Sequence, residues 1–95
     1  MVCALALNRS GISVTVFEQE PEPPVEQRAA TIHPSTLEML DALGVTKKVI
    51  PLGLVSNAYR FHDRVNNNVV AEFNLDLMRD EFQFPFALQY EQYKM

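Results

Sequence analysis

Glu18 closes the apolar run Ile12-Ser13-Val14-Thr15-Val16-Phe17. A carboxylate at the end of such a run is what a dinucleotide-binding βαβ unit uses to accept hydrogen bonds from ribose hydroxyls, about 20 residues beyond a Gly-rich turn. Counting back from Glu18 by that spacing places the last glycine of the turn just ahead of Met1. The plainer account is an acidic residue that ends a strand and enters a loop. Arg28 is the second residue of interest. Its planar donor fork suits a pyrophosphate. The plainer account is a solvated cation, or a partner for Glu18, Glu20, Glu22 or Glu26, and exposed pairs of that kind contribute little to stability. His33 and His62 are isolated, with no second His or Cys at metal-ligand spacing, so no metal site is expected. No Ser, His and Asp set stands out for nucleophilic catalysis.

The elements around these residues follow from periodicity and breakers. Residues 2–10 predict a helix, built on Ala4, Leu5, Ala6 and Leu7 and stopped by Gly11. Residues 12–17 predict a β-branched, buried strand. Helix, glycine and strand in quick succession make the αβ half of a βαβ crossover. Pro21, Pro23 and Pro24 then force a loop. A second helix is expected at about 35–43. Ser35 and Glu38 have capping-box spacing, and Pro34 with His33 ahead of it is the alternative start. Leu37, Leu40, Leu43 and Met39 form its expected apolar face, and Gly44 its stop. Residues 46–50 add a short turn. Residues 59–63 and 69–73 predict a hairpin across Asn66-Asn67-Asn68. Tyr59, Phe61 and Phe73 are expected in a core rather than on a stacking platform. Residues 86–93 read as the opening of a further helix.

Composition narrows the function class. A chain of 95 residues makes one small domain at most, and 47% hydrophobic content argues against wholesale disorder. A formal net charge of −4 with scattered Lys and Arg does not fit nucleic acid or an anionic membrane. The longest apolar run, at residues 1–7, is far below the ~20 residues of a membrane span. Cys3, the one cysteine, excludes an internal disulfide and fits a reducing, cytoplasmic setting; its plainest role is a small buried hydrophobe.

Taken together, the sequence resembles the FAD-dependent aromatic monooxygenases of the para-hydroxybenzoate hydroxylase type. The likeness runs through Val-Cys-Ala-Leu-Ala-Leu-Asn-Arg-Ser-Gly (2–11), Val-Thr-Val-Phe-Glu (14–18), Glu-Pro-Pro (22–24) and the more specific stretch at 28–45. It ends in Pro-Phe-Ala-Leu-Gln-Tyr-Glu (85–91). The resemblance implies an α/β fold: a partial Rossmann-like FAD-binding domain, lacking its first strand and Gly-rich turn, with a β-hairpin. It implies that Glu18 binds the adenosine ribose, that Arg28 contacts the phosphate and ribityl region, and that Gln89 lies against the ribityl chain. It further implies NAD(P)H as co-substrate and insertion of one oxygen atom from O₂ into a phenol-like ring.

This sequence departs from the family in having no Gly-rich fingerprint, and in carrying Gln27 where the family often has Gly. The family's two later fingerprints would lie beyond Met95. The expectation is therefore that residues 1–95 are a fragment of a single FAD-binding domain. Alone, it is expected to be poorly stable and to bind FAD weakly or not at all. Two other readings stay open. One is a non-catalytic αβ interaction module that uses an unpaired strand edge. The other is part of a different FAD- or NAD(P)-dependent oxidoreductase.

Overall fold

A computed structural model describes residues 1–25 and 29–94. Its first helix, α1 (Val2–Arg9), ends as the sequence predicts. Gly11 takes φ +79, its N–H donates to the Asn8 carbonyl, and the Ile12 N–H donates to the Leu7 carbonyl at 3.0 Å. That double closure satisfies two carbonyls that a helix end leaves open. The same device ends α2 (Pro34–Ala42). There Gly44 takes φ +65, with Gly44 N–H to Asp41 O at 2.7 Å and Val45 N–H to Leu40 O at 2.9 Å.

The start of α2 takes the proline alternative. His33 is the extended N-cap and Pro34 the first helical residue, where its missing N–H costs nothing. The Ser35–Glu38 capping box does not form. Glu38 instead accepts from the backbone N–H of Gln83 at 2.9 Å, tying α2 to a segment 45 residues on. Leu37 and Leu40 are buried as expected, but Met39 is 67% exposed, because it sits about 100° from Leu40 and about 160° from Leu37 on the helix wheel.

Next comes α3 (Thr46–Val49), a single turn followed by a 3-10 turn through Pro51. Thr46 is fully buried, and its hydroxyl donates to the Leu37 carbonyl at 3.1 Å, so α3 is pinned to α2 by a satisfied polar contact.

Among the described residues, five short strands make two antiparallel sheets. β1 (Thr31–Ile32), β2 (Leu54–Ser56) and β5 (Ala87–Gln89) form one, in the order β1-β5-β2; β3 (Ala58–His62) and β4 (Val69–Asn74) form the other. The core lies under the three-stranded sheet. Leu88 is at its centre with no exposed surface, packed with Ile32, Leu37, Leu40 and Val49.

The fold is the mixed helix-and-strand segment expected, with its hairpin, and further sequence expectations are corrected: Cys3, expected to be buried, is exposed. Residues 12–17 carry no strand pairing, because no described residues run alongside them to complete a ladder. Residues 86–93 do not open a helix. Ala87, Leu88 and Gln89 form the central strand, where ladders on both sides and burial of Leu88 outweigh local helix propensity. Phe61 and Phe73 pack edge to face at 5.8 Å across the hairpin, yet stay 54% and 61% exposed instead of entering the core.

Candidate functional site

Glu18 follows the extended segment that leaves the α1 stop. Its Oε1 accepts the backbone N–H of Gln19 at 2.7 Å and of Glu20 at 3.0 Å. These two bonds, that from Glu20 first, hold the carboxyl below the usual carboxylate range. They also fix the orientation of the group, and no described residue donates to Oε2. The carboxylate lines an open groove of about 680 Å³ with Val16, Glu20, Pro21, Glu22 and Pro24. Among the described residues, the lining combines apolar walls with three carboxylates. That combination suits a flat apolar ring carrying a diol.

Gln89 sits mid-sheet on β5, flanked by Thr31 on β1 and Leu54 on β2. The Thr31 hydroxyl donates to Gln89 Oε1 at 2.8 Å. On its other side Gln89 lines a groove of about 580 Å³ with Leu52, Gly53, Leu54, Tyr90, Glu91 and Lys94. An ion pair between Lys94 and Glu91 edges this groove and lowers the Glu91 pKa while raising that of Lys94. Glu18 and Gln89 thus line separate grooves. Arg28 lies outside the described residues.

Sequence reasoning missed two participants. Thr31 contacts Gln89 across 58 residues of chain, a contact with no local sequence signal. Tyr90 borders three grooves, and its N–H donates to the Ala30 carbonyl at 2.7 Å, extending the β1–β5 seam. The two histidines stay apart in their contacts. His33 Nδ1 lies 3.5 Å from the Tyr59 hydroxyl, at the limit of a hydrogen bond, and His62 Nδ1 lies 2.9 Å from the Asn67 carbonyl oxygen. Among the described residues, no three His, Cys, Asp or Glu side chains cluster as metal ligands, and no helix is long and apolar enough to cross a membrane.

The sequence model of the FAD binding domain matches residues 1–95, the whole sequence. The chain belongs to the FAD-binding domain family. Among curated relatives it is 29% identical over 89 residues to a 3-hydroxybenzoate 6-hydroxylase of Polaromonas naphthalenivorans, covering 93% of this chain and 22% of that protein. It is 26% identical over 93 residues to a pentachlorophenol 4-monooxygenase of Sphingobium chlorophenolicum, covering 97% and 16%. Among solved structures, p-nitrophenol 4-monooxygenase from Pseudomonas putida superposes with a TM-score of 0.86 at 22% identity, over 98% of this chain and 23% of that one. This last likeness speaks for the fold. The chain spans less than a quarter of the length of each of these relatives.

FAD is the group that this family binds, and the residues present fit parts of it. The Glu18 groove offers what an adenosine needs, an anionic acceptor for vicinal hydroxyls beside apolar walls. The Gln89 amide offers an N–H₂ group on a sheet face next to a groove. A pyrophosphate needs cations or converging backbone N–H groups; among the described residues the Glu18 groove shows carboxylates instead, and the Lys94 of the Gln89 groove is paired with Glu91.

Proposed function

We propose that this chain is the adenosine- and ribityl-binding segment of an NAD(P)H-dependent flavoprotein that hydroxylates phenolic rings. The observation that carries the reading is the Glu18 carboxylate, oriented by two backbone N–H groups in an acidic, proline-walled groove, within a chain matched from end to end by the FAD-binding domain family. The names of the curated relatives, hydroxylases and monooxygenases of aromatic compounds, support the reaction class. In this reading Glu18 accepts from the ribose hydroxyls, Arg28 pairs with the phosphates, and Gln89 meets the ribityl chain. Bound FAD supplies the electron transfer from NAD(P)H and the activation of O₂. The side chains named here bind and orient the cofactor and carry no bond-making step. On their own, residues 1–95 are proposed to hold FAD too weakly for turnover, since both grooves are open to solvent.

The test is to purify the full-length protein, measure flavin absorbance, and then follow phenol-stimulated NAD(P)H oxidation. Expected is a yellow protein whose NAD(P)H consumption rises with a phenol. A folded protein that never takes up flavin would sink the reading.

A further inference from the structure

We propose that Thr31 is a positioning residue that commits the Gln89 amide to donating, rather than accepting, a hydrogen bond toward the cofactor. The inference rests on the reading of Gln89 as a cofactor-binding residue and goes beyond it. A primary amide has two faces, a carbonyl that accepts and an N–H₂ that donates, and an unrestrained glutamine can present either. Here the choice is made by the neighbouring strand. Thr31 and Gln89 are direct partners in the β1–β5 register, and the Thr31 hydroxyl donates to Oε1 at 2.8 Å. On the opposite flank the register partner is Leu54, whose side chain has no polar atom to compete for the amide. The bond turns the carbonyl toward Thr31 and so aims the N–H₂ group away from it, and no described residue accepts from Nε2.

Threonine suits this task because its branched side chain has few χ1 states in a strand, so the hydroxyl is held where the register puts it. Thr31 is itself exposed and adds nothing to the core that its methyl group would not. Its hydroxyl can be removed with little structural consequence. The group that Gln89 meets on the cofactor must then be an acceptor, such as a hydroxyl oxygen of the ribityl chain.

The experiment measures FAD dissociation constants on the full-length protein after flavin removal, by quenching of flavin fluorescence, with the apoprotein melting temperature alongside. Thr31→Val is expected to weaken FAD about 3–10-fold, the range for one lost hydrogen bond. Thr31→Ser should stay within about twofold of the parent. Gln89→Glu, which keeps the acceptor oxygen and replaces the donating N–H₂ by a second acceptor, should be at least as damaging as Gln89→Leu. In a Gln89→Leu background the Thr31→Val effect should vanish, since the two act through one contact. Melting temperatures of the Thr31 variants should stay within about 4 °C of the parent, as for other surface substitutions.

If Thr31→Val binds FAD like the parent while Gln89→Leu does not, the positioning role is overturned. Parent-like binding by Gln89→Glu, with Gln89→Leu weakened, overturns the donor assignment. If neither Gln89 variant changes affinity, Gln89 does not meet the cofactor, and the underlying reading falls together with this one.

Discussion

The two oxygens of Glu18 stand in different surroundings. Oε1 is spent on the chain's own backbone, which fixes the plane of the carboxylate, and no described residue donates to Oε2. Replacing Glu18 by alanine removes a charged acceptor that would bond two hydroxyls. A loss of roughly 10–100-fold in FAD affinity is expected for Glu18→Ala. Unchanged affinity in a fluorescence titration would remove Glu18 from the site. The same backbone bonds set a pH dependence. They lower the carboxyl pKa in the folded chain, so the folded state binds its proton less readily than the unfolded one. The anionic form, and any binding that depends on it, persists as pH falls through the ordinary glutamate range. It is lost only below that range. FAD affinity should therefore be flat between pH 7 and about 5 as far as this group is concerned. A Glu18-dependent decline centred above pH 5 would contradict the assignment. Glu18 stood out in the sequence by its spacing along a βαβ pattern, although residues 12–17 form no ladder among the described residues. Gln89 became visible only through family resemblance. Thr31 was not legible, because its meaning comes from a residue 58 positions away.

At the scale of elements, the helix stops and the hairpin were legible for a common reason. Each is written in residues adjacent to the event. Gly11 and Gly44 end α1 and α2, and Asn67 takes φ +59 beside the hairpin turn. The three-stranded sheet was not legible. β1 has two residues, and β2 and β5 have three each, too few for any alternation to appear. Phe-Ala-Leu-Gln-Tyr-Glu-Gln-Tyr, at residues 86–93, reads as a helix until partners on both sides are known.

That sheet depends on a close approach between Gly53 and β5. A methyl group on Gly53 would lie 2.7 Å from Leu88 Cδ1 and 2.9 Å from the Gln89 carbonyl oxygen. The leucine methyl can turn away, but the backbone oxygen cannot. Gly53→Ala should thus destabilise the fold by about 1–3 kcal/mol, the usual cost of overpacking, and lower the melting temperature. Leu88→Ala empties the centre of the core and should cost about 2–5 kcal/mol. Thermal melts of the full-length protein check both. A Gly53→Ala protein that melts at or above the parent would show that β2 and β5 do not approach this closely.

The whole molecule is drawn out rather than round. Its extents are 54 × 34 × 18 Å, and its radius of gyration is 16.8 Å, against about 13 Å for a compact domain of 100 residues. Much apolar surface lies open. On the hairpin, Phe61, Phe73 and Val70 are each more than half exposed, and Phe17 in the extended segment is 91% exposed. Surfaces of this kind are normally covered by further structure or a partner. Prepared alone, residues 1–95 should bind a hydrophobic dye such as ANS strongly, self-associate on size-exclusion chromatography and show a broad thermal transition. A sharp transition from a monomeric, dye-free chain would mean that these 95 residues close their own core, and would favour an independent interaction module over a flavoprotein segment.

The order β1-β5-β2 also has a consequence in time. The strand in the middle is the last of the three to be synthesised, and the two outer strands have no ladder with each other. As the chain leaves the ribosome at roughly 5–20 residues per second, residues 31–32 and 54–56 wait on the order of seconds for residues 87–89 to arrive between them. During that interval Leu88 is not yet available to the core, and the Thr31 hydroxyl has no Gln89 to meet. The amide-bearing groove is therefore a late product of folding. Pulsed proteolysis of stalled nascent chains should find residues 31–56 protected only once β5 has emerged.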